Sequence, residues 1–207
     1  MAGALFASAA AQAGVSMNLG ATSNYLWRGV TQSNDQAAIS GGLDYSHDSG
    51  FYAGTWTSSL SGGSYELDLY AGYGGEFKDF GYDLGVISYQ YPVIDDYFNE
   101  VYANGSFKII NFGVAYTFGS KDDNTPEFSK GDLYGHLGAD FELPEGFGLG
   151  LVVGAYNFDD PAGEDYVHYG VSLSKSDFTL GIEKNDKTDT GAGEDKPRVV
   201  VSWSKEF

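Results

Sequence analysis

The sequence predicts an all-β chain, an up-and-down antiparallel transmembrane barrel of about twelve strands with an apolar outer face. Three observations predict it. Apolar and polar residues alternate with a period of two along nearly the whole chain, in segments of about ten residues. Tight turns and longer polar loops take turns between those segments. The last segment, Pro197 to Phe207, alternates to its final residue, with Val199, Val201, Trp203, Lys205 and Phe207 on one face.

Composition agrees. The 207 residues include 30 Gly, 16 Tyr and 14 Phe but only 5 Pro, a balance that favours strands and tight turns. Cysteine is absent, which removes disulfides and cysteine metal sites. The net charge of −18 excludes a nucleic-acid partner, because phosphate binding needs basic patches. Near the start, Ala11-Gln12-Ala13 has the A-x-A form of a secretory cleavage signal, so residues 1–13 are expected to be a signal-peptide remnant and 14–207 a single barrel domain.

Strands are expected at 16–28, 37–46, 51–60, 64–76, 82–91, 98–108, 111–118, 132–143, 147–158, 166–175, 177–185 and 197–207. The fourth shows the pattern well: Tyr65, Leu67, Leu69, Ala71 and Tyr73 alternate with Glu66, Asp68, Tyr70, Gly72 and Gly74. In the fifth, Ile87, Tyr89 and Tyr91 compete with Leu84 and Val86 for the apolar face; counts of ten or fourteen follow if it or the seventh is read otherwise. Ten residues at about 3.4 Å, tilted about 40°, span roughly 26 Å, the height of an outer-membrane apolar band. Aromatic girdles are expected at both rims, with Tyr45, Phe51, Phe77, Phe107 and Phe207 among the residues at the short-turn end and Tyr25, Trp27, Tyr65, Tyr134, Phe158 and Tyr166 among those at the other. Trp203 and Phe207 read as the terminal signal for the barrel-assembly machinery, and outer-membrane lipid and lipopolysaccharide are the expected surroundings.

The stretch "NYLWRGVTQSNDQAAISGGLDYSHDSGFYAGTWTSS" resembles the opening of the TorF-type porins of Gram-negative bacteria, through Asn24, Tyr25, Trp27, Arg28, Gly29, Gln32, Gly41, Gly42, Asp44, Tyr45, Gly50, Phe51, Tyr52, Gly54 and Trp56. "ELDLYAGY" and "YDLGVISYQYP" continue the likeness through the first half of the chain. The resemblance implies an outer-membrane pore and supplies neither a substrate nor catalytic residues.

Twelve strands at this tilt enclose a backbone cylinder of roughly 12 Å radius. Small inward positions, among them Ala53, Thr55, Thr57, Gly72, Gly154 and Ser172, suggest a wetted lumen. Glu66, Asp68, Glu100, Asp132 and Glu183 are expected near the long-loop mouth. Arg28, ending the first strand, and Arg198, starting the last, fall at the same height on one wall. Deeper lie Asp44, Asp83, Asp140 and Glu142. Two arginines facing carboxylates set a transverse field at a constriction, and the excess of acids predicts a cation-preferring pore for ions and small polar solutes. The alternative reading of the same charges is that Arg28 and Arg198 bridge the acids and close the lumen.

No cofactor or metal is expected. His47, His136 and His168 lie in a turn and at two lumen depths, and "DKTDTGAGEDK" lacks both the spacing and the closing glutamate of a calcium loop. Other readings kept open are a non-conducting structural or adhesive barrel, a soluble periplasmic β-protein, and a lipid-embedded hydrolase, which would need a Ser and His on the lipid face. Oligomeric state is not legible.

Overall fold

The computed structural model describes residues 13–187 and 196–207. All but the last residue of the expected leader, and most of the acidic 186–196 loop, lie outside the described residues. The strands are β1 (Gly14–Thr22), β2 (Leu26–Trp27), β3 (Val30–Thr31), β4 (Ala38–Ser46), β5 (Phe51–Ser59), β6 (Tyr65–Phe77), β7 (Phe80–Tyr91), β8 (Asp96–Phe107), β9 (Ile110–Ser120), β10 (Leu133–Leu143), β11 (Phe147–Asn157), β12 (Tyr166–Lys175), β13 (Phe178–Asn185) and β14 (Arg198–Glu206). All except β2 and β3 form one closed antiparallel barrel of twelve strands, in which β1 pairs with β4 on one side and β14 on the other.

The chain end makes the closing seam. Asn18 to Thr22 pair with Glu206 back to Ser202, and Met17 and Phe207 exchange backbone hydrogen bonds of 3.2 and 2.9 Å. Wall-strand boundaries fall within two residues of expectation except at one place. The first strand stops at Thr22 rather than continuing to Arg28, and the chain turns into the lumen as the β2–β3 hairpin.

Apolar side chains such as Leu19, Leu43, Leu69, Leu137, Leu151 and Val201 stand exposed on the outer face of the wall. Burying each would be worth about 1.5–3 kcal/mol, so a continuous belt of them is incompatible with water and suits hydrocarbon. At the short-turn rim, Lys78, Lys108 and Lys175 lay their ammonium groups over Phe77, Phe107 and Phe147, as expected of residues anchoring at an interface.

The core lies inside the barrel, at the long-loop end. Tyr25, Trp27, Tyr89, Phe98, Tyr134, Tyr156, Phe158 and Tyr166 pack there as one buried aromatic cluster. This corrects the expected outer girdle at that rim: Tyr25, Trp27, Tyr134, Phe158 and Tyr166 face inward. The reason is parity. Tyr134 shares its face with His136, and Tyr166 with His168, and polar residues cannot turn to lipid.

Two strand faces were undecided or misassigned by pattern alone. In β7, Leu84 and Val86 are exposed outside while Tyr89 is buried inside, with Ile87 and Tyr91 packed against the cluster. In β5, Ala53, Thr55 and Thr57 face outward, contrary to expectation. Phe51 packs at a tilt against Tyr73 outside, while the Tyr52 hydroxyl reaches Asp83 and Trp56 meets Tyr25 inside. The inward glycines also have another meaning. A Cβ on Gly72 would lie within 2.5 Å of the Tyr52 ring, and one on Gly154 within 2.6 Å of the Tyr134 hydroxyl. They make room for tyrosines rather than for water.

Candidate functional site in the barrel lumen

The hairpin that enters the lumen is built from its own short polar residues. The Thr22 hydroxyl donates to the Asn24 carbonyl at 2.9 Å, bending the chain inward where the wall strand ends. Asn24 Oδ1 then accepts from the Thr31 and Ser33 hydroxyls, and its amide donates to Asp35 at 2.7 Å. Side chains of this kind compete with a sheet ladder for backbone groups, which is why β1 does not continue. Trp27 pairs with Val30, leaving Arg28 and Gly29 as a two-residue turn with φ of +50° and +83°. Positive φ at both central residues is the signature of the tight hairpin turn whose twist matches that of its strands.

Gly29 has a second constraint. A Cβ there would sit 2.5 Å from His168 Cβ. The Asn185 amide, fully buried on β13, donates to the Gly29 carbonyl at 2.8 Å. The tip of the hairpin therefore touches β12 and β13, and Arg28 leaves it toward β8. Both of its Nη groups donate to Glu100, at 2.7 and 2.6 Å, in a bidentate fork. The guanidinium lies 4.2 Å from the Trp27 ring centre, 4.1 Å from that of Tyr134 and 5.3 Å from that of Tyr156. A register irregularity in the β8–β9 ladder falls between Asn99 and Glu100, the kind of bulge that re-aims a side chain.

Around this centre the walls are closed. Trp27 packs edge-on against Tyr89 and Phe98 and tilts onto Phe128 from the β9–β10 loop. Leu26 fills the other side, leaving a void of about 10 Å³ against Gly170, Gly181 and Val200, room for one water. Glu66 and Glu100 are each only 1% exposed, and Asp132 and Asn185 are 0% exposed. Residues lining an aqueous constriction would be wet. In this conformation the long-loop half of the lumen is sealed, whereas Asp140 and Glu142 at the short-turn end are open to solvent.

The expected site residues divide into several groups. Arg28 and Arg198 do not sit together on one wall: Arg28 is on the hairpin tip, while Arg198, at the start of β14, donates to Asp35 at 2.7 Å. Glu183 pairs with His168 at 2.9 Å. Asp132 faces the loops, not the lumen. Its carboxylate accepts the backbone amides of Ser129 and Asp159, each at 3.0 Å, and pins two loops together. Glu66 and Asp68 lie on the inner wall with Glu66 Oε2 and Asp68 Oδ1 buried and without a hydrogen-bond partner. Lower down, Tyr70 donates to Asp44, Tyr52 and Asn104 donate to Asp83, and Asn111 donates to Asp140 at 2.6 Å. Trp203 and Phe207 are on the outer face of the seam strand.

Sequence reasoning missed Gly29, Asp35 and the rings of Trp27, Tyr134 and Tyr156. Two signals were available. The rings share parity with polar residues on their strands, and "LWRGVT" places a glycine-containing pair between two short apolar stretches, as in a hairpin.

A family model described as "Bacterial protein of unknown function (Gcw_chp)" matches residues 6–194. No curated protein matches the chain. Among solved structures, the KdgM porin superposes with a TM-score of 0.60 at 10% sequence identity, covering 93% of this chain and 98% of that one. The KdgM porin in complex with disordered oligogalacturonate gives 0.58 at 9% identity, covering 93% and 97%. At such identities the likeness is one of fold.

Proposed function

The chain belongs to the Gcw_chp family of bacterial proteins, and from its closed barrel we propose that it is a porin-like channel of the bacterial outer membrane. It would pass ions or small polar solutes by passive diffusion and prefer cations. The observation that carries this reading is the division of the barrel wall, with an exposed apolar belt outside and carboxylates inside. The resemblance of the first half to the TorF-type porins supports the same reading.

The pairing of lumen charges supports the cation preference. Arg28 and Arg198 are matched by Glu100 and Asp35. Among the described residues, no basic partner is seen for Glu66, Asp68, Asp44, Asp83, Asp140 or Glu142. A lumen with that surplus attracts cations and opposes polyanions. The oligogalacturonate of the KdgM complex is a polyanion, so the shared fold does not carry that solute over to this chain. The constriction is the hairpin itself, with Arg28, Glu100, Glu66 and Asp68 at its level, and conduction requires the hairpin to withdraw. The sealed long-loop half favours a second reading, a non-conducting structural barrel.

Single-channel recording in a planar bilayer under a salt gradient separates the readings. Unitary steps with a cation-directed reversal potential are expected, and Glu66→Gln/Asp68→Asn should move that potential toward zero. An anion-directed potential would keep the pore and overturn the charge assignment. A barrel that migrates as folded in unheated detergent yet never conducts would establish the structural reading.

A further inference from the structure

We propose that the cage around Arg28 is a binding site for guanidinium-bearing organic cations, which the chain's own arginine occupies in the closed state. The proposal rests on the channel reading for its role in gating but on the cage geometry for its chemistry. The cage is made for a planar cation rather than for a point charge. Glu100, 1% exposed, meets two Nη groups at 2.7 and 2.6 Å, one with each carboxylate oxygen. A fork of this kind fits guanidinium and not ammonium, which presents a compact and strongly hydrated charge. Tyr134 and Trp27 then offer ring faces at 4.1 and 4.2 Å, close to the best separation for a desolvated cation over an aromatic ring.

Most of the cage belongs to the wall. Glu100 is on β8, Tyr134 on β10 and Tyr156 on β11; only Trp27 arrives with Arg28 on the hairpin. Withdrawal of the hairpin therefore leaves a carboxylate and two rings still assembled. The wall rings are held independently of the arginine. The Tyr134 hydroxyl and His168 Nε2 are 2.9 Å apart, and both His136 and His168 stack against the Tyr134 ring.

The occupant, by contrast, is carried on the two-residue turn of the hairpin, where Arg28 has φ of +50°. A free guanidinium compound can make the same fork with Glu100 and the same contacts with the wall rings of Tyr134 and Tyr156. It competes with Arg28 for Glu100 and, by winning, releases the hairpin. The solute would thus open its own path by replacing an internal mimic, and opening would depend on the cation's shape as well as its charge.

The test uses the full chain refolded in detergent, as wild type, Arg28→Ala, Arg28→Ala/Glu100→Gln and Arg28→Lys. Ethylguanidinium and ethylammonium are titrated while tryptophan emission is read, and the same titrations are run on single channels in a planar bilayer. Arg28→Ala should bind ethylguanidinium saturably and at least about tenfold more tightly than ethylammonium, a difference of about 1.4 kcal/mol. Arg28→Ala/Glu100→Gln should lose that preference. In Arg28→Lys, whose point charge cannot form the fork, ethylguanidinium should displace the hairpin at lower concentration than in wild type. Equal response to the two cations, or a guanidinium response that survives Glu100→Gln, would overturn the site. Saturable binding in barrels that never conduct would keep the site and reject the channel. Conduction without discrimination between the cations would do the reverse.

Discussion

Replacing Gly29 by alanine should unseat the lumen hairpin while leaving the barrel wall intact. The added Cβ would lie 2.5 Å from His168 Cβ and 2.9 Å from its Cγ, against the roughly 3.5–4.0 Å at which carbons rest in contact. His168 has little freedom to withdraw, since its Nε2 lies 2.9 Å from the Tyr134 hydroxyl and its ring, 3% exposed, stacks on that of Tyr134. Overpacking of this sort costs about 1–3 kcal/mol. The φ of +83° adds roughly 1–2 kcal/mol for a residue with a side chain. Together they work against the seated hairpin by about 2–5 kcal/mol, a shift of about thirtyfold to several thousandfold toward the unseated state. The wall ladders do not involve Gly29, so thermal unfolding of the barrel should change little. Planar-bilayer recording would show a much larger open fraction, and tryptophan emission would move to the red as Trp27 leaves its aromatic packing. A folded Gly29→Ala barrel with unchanged open fraction and unchanged emission would refute the claim that close approach to β12 seats the hairpin.

Two further predictions address the outside of the barrel. Leu137→Arg, in the middle of β10 on the outer face, should cost about 2–4 kcal/mol when folding is measured by urea titration in lipid vesicles; a neutral effect would contradict the assignment of that face to lipid. Phe207→Ala should leave refolding in detergent nearly unchanged, because Phe207 contributes backbone bonds to the seam while its ring is exposed. The same variant should accumulate less in the outer membrane of cells, as read by heat-modifiable migration of membrane fractions. Equal accumulation would remove the assembly-signal role.

The wall was legible because alternation is a strong signal wherever one face is purely apolar. Strands such as β6 and β10 carry Leu on one face and charges on the other, and their register follows directly. Legibility failed where aromatics occupied both faces. In "FYAGTWTSS", Phe51 and Tyr52 serve opposite sides, and only the partners Tyr73 and Asp83 decide which is which. The end of β1 failed for another reason. "NYLWRGV" continues the alternation, so the pattern extends the strand, but Asn24, Thr31 and Ser33 satisfy the backbone locally and divert it. Arg28 was recognised as a lumen charge, yet its partner Glu100 lies across the barrel, 72 positions away in sequence. A contact of that range leaves no periodic trace.

A permanent plug and a movable one call for different chemistry, and the lumen can be judged by that difference. A structural core gains most from apolar packing, and a buried ion pair adds little to it, because desolvation offsets much of the attraction. This lumen instead places Arg28 against Glu100 at its centre and leaves Glu66 and Asp68 beside the hairpin with buried oxygens lacking a hydrogen-bond partner. Each such oxygen left dry costs about 1–3 kcal/mol, more when charged, a cost that withdrawal of the hairpin and entry of water would remove. The seated state is therefore held by the bidentate contact of Arg28, the Asn185 bond to the Gly29 carbonyl and a set of ring faces, against the buried Glu66 and Asp68 oxygens that water would reach on its release. Local conflicts of this kind concentrate at working sites rather than in cores. Glu66, Asp68, Glu100 and Gly29 are therefore the positions at which the seating of the hairpin can be tested.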